Sequence, residues 1–203
     1  EDIGAWDTSG VTTMYMMFRS ASAFNQDIGG WAVHSVADMS ALFHDARAFN
    51  QDLGGWAVQS ATEMVSMFHS ASAFDQDIGA WDTSGVTKMD MMFAFAVFNR
   101  DIGGWAVHKV TDMNYMFEGA SSFNQAIGTW MVGEVRNMDG MFKSAHMFDQ
   151  DLSAWAVDSV TKMSAMFHSA SSFDQDISEW DTSGVMGMDY MFNGASAFDQ
   201  DLG

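Results

Sequence analysis

The sequence has no cysteine and no proline. Without cysteine there is no disulfide framework, no thiolate metal site and no cysteine nucleophile. A long continuous core makes disulfides unnecessary even outside the cell, so this absence leaves the compartment open. Basic residues are scarce: 8 Lys+Arg stand against 27 Asp+Glu, a formal net charge of −19. Such a surface repels phosphate backbones and anionic headgroups, which excludes nucleic acid and argues against simple adsorption to membranes. No run approaches the 18 or so consecutive apolar residues of a spanning helix, so no membrane-spanning segment is expected. The chain begins at Glu1 without methionine or a signal-like segment, so it reads as a mature or excised piece.

What is present is a repeat. All 8 tryptophans fall on one period, at Trp6, Trp31, Trp56, Trp81, Trp105, Trp130, Trp155 and Trp180. The spacing is 25 except between Trp81 and Trp105, where it is 24. Met39 and its equivalents follow each Trp by eight residues, Phe43 and its equivalents by twelve, and Phe49 begins no new pattern but continues a second Phe row. The two rows use 16 of the 17 phenylalanines. The missing residue of the fourth unit lies between Ala96 and Phe98, which marks a tolerant turn. A single array over residues 1–203 is therefore expected, eight units beginning at the eight tryptophans, and reading as a segment of a longer array or filament.

Within a unit the apolar residues mostly recur every three positions, with one step of two from Trp31 to Val33. The step of two reads as a short strand with both side chains inward. The steps of three from Val36 onward read as a short helix or 3₁₀ turns, and Asn25-Gln26-Asp27 as the chain reversal. Trp31, Trp56, Met39, Phe43 and Phe49 are assigned to the core. One unit cannot bury so many large side chains alone, whereas stacked neighbours can. The expected fold is an α/β repeat solenoid of eight units, each with one short parallel strand and a short helix or 3₁₀ segment.

The unit "FNQDIGGWAVHSVADMSALFHDARAF" resembles the 25–26-residue bacterial surface-protein repeat of the BspA-like leucine-rich-repeat group, and it does so along the whole chain. The resemblance implies a leucine-rich-repeat-like solenoid, secretion or display on the cell surface, and adhesion-type roles in some members. Ala46 and its equivalents stand where some relatives carry a core cysteine, and the proline frequent after the strand is missing.

Chemistry is sparse. There is no nucleophile elbow, phosphate loop or His-rich metal motif, and the repeated positions contrast with the singular constellation that catalysis needs. No enzyme is expected. The Met rows sit in core-periodic slots and read as packing, not metal ligation. The six His read as exposed turn residues, with His44 and His69 one repeat apart and able to meet. Two rows of acidic and amide residues offer the first candidate site. Asp27, Asp52, Asp77, Asp101, Asp151, Asp176 and Asp201 form one row, broken at Ala126, and Asn25, Asn50, Asp75, Asn99, Asn124, Asp149, Asp174 and Asp199 the other. Stacked carboxylates would repel by roughly 1 kcal/mol per pair in water. Turn N–H groups and solvent would relieve this, as would structural calcium at Asp75/Asp77, Asp149/Asp151, Asp174/Asp176 and Asp199/Asp201. No other cofactor is expected.

The second candidate is the outward side of the expected strand: Gly30, Ala32, His34, Gly55, Ala57, Gln59, Gly104, Ala106 and His108. It is small and smooth, with none of the aromatic or Arg anchors that grip a ligand. The two ends are in phase, Glu1-Asp2-Ile3-Gly4 matching Gln200-Asp201-Leu202-Gly203, and neither carries a polar cap. Two functional expectations follow. One is a structural protein of an extracellular surface or filament, self-associating head to tail. The other is an adhesin-type module that binds an extracellular protein or glycan through one face.

Overall fold

The computed structural model describes residues 2–202. Its building element is the turn. In the second unit, Trp31 N–H donates to the Ile28 carbonyl, Val36 to Val33, Leu42 to Met39, Ala46 to Phe43 and Phe49 to Ala46, at 2.9–3.2 Å. Each bond closes a four-residue turn whose two end residues lie on the same side of the chain. All of these end residues are buried. The three-residue spacing of apolar side chains is thus the signature of turn after turn, each with both ends facing the core.

Successive units lie directly on one another. Parallel bridges run Thr13↔Asp38↔Glu63↔Lys88↔Asp112↔Asn137↔Lys162↔Gly187, one residue per unit. The N–H groups of Met39, Ala41, Phe43 and Asp45 donate to the carbonyls of Glu63, Val65, Met67 and His69 in the next coil, at 2.7–3.0 Å. The intervening Leu42, His44 and Ala46 turn their N–H groups back to carbonyls three residues earlier. Alternate amides therefore serve cohesion between coils and curvature within a coil.

This alternation requires left-handed backbone twice per coil. Ala41 and Asp45 have φ of 53° and 58°, and the pattern recurs at Met16/Ser20, Ser66/Ser70, Met91/Phe95, Tyr115/Gly119, Gly140/Ser144, Ala165/Ser169 and Tyr190/Gly194. Most of these are not glycine, and each non-glycine residue costs about 1–2 kcal/mol in that conformation. The stack holds them there: the N–H of each of Ala41 and Asp45 bonds to a carbonyl of the next coil, which offsets the strain.

The core is a set of columns. Phe18, Phe43, Phe68, Phe93, Phe117, Phe142, Phe167 and Phe192 stack at 5.6–5.8 Å between ring centres. Each also stacks on the second Phe of its own coil at 3.9–4.2 Å. The tryptophans from Trp31 to Trp180 are buried, and each indole N–H donates to the carbonyl of Ile or Leu in the preceding coil, as Trp105 does to Ile78 at 3.1 Å. A buried indole N–H needs such a partner, and here the partner lies in another coil. The Trp row is therefore a hydrogen-bonded seam as well as a hydrophobic one.

The expected strand-plus-helix solenoid of the leucine-rich-repeat type is overturned. Among the described residues there is no helix, and extended pairing is limited to the isolated bridges. Trp31-x-Val33 points inward as expected, yet it pairs with no neighbour as a strand; the bridge lies seven residues after each Trp. The steps of three do not propagate as a helix because left-handed residues interrupt them. Asn25-Gln26-Asp27 carries no turn of its own and lies between two others. In the short fourth unit, residues 96–98 lack the turn that other units place there, and Phe95 and Val97 are left half exposed. No helix among the described residues is long and apolar enough to cross a membrane.

Candidate functional site

Both acidic rows are tied to backbone N–H groups. Asp27, Asp52, Asp77 and Asp101 each accept from the glycine N–H two residues on, at 2.8–3.0 Å. Asp151 and Asp176 accept likewise from Ser153 and Ser178 at 2.9 Å. The other row works between coils. Asn25 Oδ1 accepts from Asn50 N–H and Gln51 Nε2, each at 2.9 Å. Asp149 accepts from Asp174 N–H and Gln175, and Asp174 from Asp199 N–H and Gln200. Asp75 accepts from Asn99 N–H and forms an ion pair with Arg100 at 2.9 Å. The eight carboxylates singled out for calcium thus stand in two separate rows, and Asp201 is exposed. Among the described residues no group of three His, Asp or Glu comes together in a geometry that holds a metal.

These bonds set the acid response. Asp174 is held below the ordinary 3.8 by Asp199 N–H and then Gln200. Asp151 and Asp176 are held below it by Ser153 and Ser178. The folded chain therefore binds fewer protons than the unfolded chain in that range. The stability these groups contribute is complete above the unfolded value and is lost as pH falls through the folded values. Asp90 has the opposite sign: burial first, then the neighbouring Asp112, pushes its pKa up. Its penalty is present above the raised value and disappears as pH falls through it. Asp90→Asn is accordingly expected to raise the melting temperature at neutral pH and to lose that advantage in acid. Circular dichroism melts across the acid range check both signs, and an unchanged neutral melting temperature would refute the assignment for Asp90.

The small-residue face is on the surface. Gly30, Gly55, Gly104, His34, Ala57 and Gln59 are exposed, while Ala32, Ala106 and His108 are half-exposed. A Cβ added at Gly30, Gly55 or Gly104 would meet nothing within 4 Å. Relief on this face comes where Ala126 replaces the usual Asp and leaves a shallow depression edged by Thr129, Gln150 and Asp151. Trp31, Trp56, Met39, Phe43 and Phe49 are all buried in the core.

The structure brings His44 and His69 together as a parallel stack, ring centres 4.4 Å apart. Burial lowers both pKa values; at His44 the adjacent His69 and Arg19 lower it further. Beside this pair the sequence reading missed a cleft lined by Tyr15, Arg19, Ser40, Ala41, His44 and Ser66. Its residues come from three coils at the ninth, tenth and thirteenth positions after Trp. Periodicity gave no sign of it, because its floor is the left-handed Ala41 and Ser66 and nothing in the apolar spacing reports φ.

The family described as Mycoplasma protein of unknown function, DUF285, matches residues 1–97 and again residues 94–203. The chain belongs to the DUF285 family. The two DUF285 matches meet at residues 94–97, inside the shortened fourth unit. No curated protein and no solved structure matches the chain.

Proposed function

We propose that this DUF285 chain is a non-enzymatic structural module of an extracellular surface or filament, built to be extended by further coils of its own kind. The observation that carries this reading is the complementarity of its outer coils. The N–H groups of Met188, Tyr190, Phe192 and Gly194 meet no backbone acceptor among the described residues, and the carbonyls of Thr13, Tyr15, Met17 and Arg19 meet no backbone donor. These are the same groups that join every internal pair of coils. The last coil also leaves an apolar hollow of ≈ 130 Å³ beside Trp180, Met188, Phe192 and Leu202, and Trp6 on the first coil is 56% exposed. An in-register contact of this kind does not close on itself and so propagates as a filament. The likeness of the unit to the BspA-like surface repeat supports the extracellular placement.

Residues 201–202 and 2–3 hold the same place in the repeat, so a second copy would seat in register with one of these segments lifted away. Light scattering and electron microscopy of the chain over a range of concentrations test the proposal. Concentration-dependent rods with an axial repeat of about 4.8 Å are expected, and Phe192→Glu on the last coil is expected to abolish them. A chain that stays monomeric at every concentration would overturn stacking between copies.

A further inference from the structure

The cleft at Tyr15, Arg19, Ser40 and His44 stands apart from the cohesion of the stack. Arg19 is the one arginine of four that forms no ion pair among the described residues: Arg47, Arg100 and Arg136 pair with Asp45, Asp75 and Glu134. Among the described residues its guanidinium makes one hydrogen bond, to the Met16 sulfur at 3.4 Å. In a chain with 27 carboxylates, an exposed arginine without a carboxylate partner is a cation left free for something else. Ser40 carries the second sign. It is 6% exposed, and its hydroxyl oxygen is buried with no hydrogen-bond partner. A buried hydroxyl left unmatched costs free energy, and this one borders a cleft of ≈ 190 Å³. His44, kept toward the neutral form by burial, offers one ring N–H and one ring acceptor. Tyr15, 54% exposed at the rim, presents a flat ring.

We infer that this cleft binds a single acidic sugar residue, its carboxylate on Arg19, its hydroxyls on Ser40 and His44, and its ring against Tyr15. Guanidinium meets a carboxylate with two parallel hydrogen bonds. The neutral donors and acceptors beside it match a polyhydroxylated ligand. A net charge of −19 disfavours a polyanion such as a nucleic acid or a heavily sulfated chain. An acidic peptide fits less well, because extended peptides are held through backbone bonds to a free edge. Here the amides that border the cleft are taken: Met16 N–H already donates to Ser40, and Ala41 N–H to Val65.

A second cleft repeats the theme near the far end of the stack, with Lys143, Ala165, His168 and Tyr190. The His168 Nδ1 is likewise buried and unpartnered. Lys143, however, is already paired with Glu118 at 2.9 Å, so the first cleft is the stronger site.

The test is saturation-transfer NMR and calorimetry on the whole chain with glucuronic acid, N-acetylneuraminic acid, glucose and acetate, and with a short Asp/Glu peptide. At least one of the two acidic sugars is expected to bind saturably, and more tightly than glucose or acetate. Arg19→Gln is expected to weaken that binding about tenfold or more. Ser40→Ala is expected to weaken it less; Arg19→Gln should melt like the wild type, and Ser40→Ala no lower than it, since its buried hydroxyl has no partner. The inference is overturned if neither sugar binds, if acetate binds as well as the sugars, if the peptide binds better, or if Arg19→Gln binds like the wild type.

Discussion

Phe117→Ala is expected to destabilise the chain by about 3–5 kcal/mol, the range for removing a fully buried phenylalanine. Phe117 is 0% exposed in the middle of the stack. Its ring lies 3.9 Å from Phe123 within the coil, 5.8 Å from Phe93 below and 5.7 Å from Phe142 above, with Trp130 at 6.4 Å. Truncation leaves a hollow with walls supplied by three coils, and those walls are fixed by inter-coil hydrogen bonds, so little collapse can offset it. The position matters as much as the side chain. In a stack where each coil touches only its neighbours, stability is a sum of coil and interface contributions. A weak central coil is therefore expected to split urea unfolding into two steps, seen as fluorescence transitions that no longer coincide with circular dichroism. Phe18→Ala in the first coil, where the ring is 8% exposed and has a Phe neighbour on one side only, should cost less and keep a single transition. Equal costs at the two positions would contradict the one-dimensional account.

Much of this core was legible in the sequence, and for a physical reason. Any closed coil that stacks on copies of itself must return the same side chain to the same place, so Trp, Met, Ala and both Phe rows appear as columns whatever the backbone does. The backbone itself was not legible. Three-residue apolar spacing fits a 3₁₀ helix and a succession of separate turns equally well, and what distinguishes them is the left-handed residue at Ala41 or Ser66. Those positions hold Met, Ala, Ser, Tyr and Gly, which share no side-chain property that marks φ. Only Gly119, Gly140 and Gly194 hinted at it. The acidic rows were found correctly as rows. Their partners were not, since an Asp that accepts from the N–H two residues on and one that accepts from the next coil look alike in sequence. The Arg19 cleft escaped entirely, being defined by an arginine without an ion pair and a serine without a partner.

The left-handed column also sets a size rule between coils, and Gly140→Ala tests it. Gly140 has φ of 58°, but φ alone does not demand glycine there, because Ala41 and Ala165 hold the same position in other coils at 53° and 56°. What differs is the residue one coil earlier. Tyr115, itself left-handed, lays its ring over Gly140, so an added Cβ would fall inside the ring. The same arrangement recurs at the other left-handed position, where the Phe95 ring covers Gly119. Tyr115 cannot swing away without loss, since Lys143 sits over its ring at 5.8 Å from the centroid. Gly140→Ala is therefore expected to cost about 1–3 kcal/mol, the range for overpacking a filled site. Adding Tyr115→Ala should recover the part owed to the ring and leave the cost that any non-glycine residue bears in left-handed backbone, although Tyr115→Ala alone in the Gly140 background should be mildly destabilising. A double-mutant cycle by urea denaturation gives the coupling, expected to exceed 0.5 kcal/mol in the favourable sense for contacting residues. If the two changes simply add, the ring does not dictate the glycine, and the left-handed backbone at this coil demands it for a reason that Ala41 and Ala165 do not share.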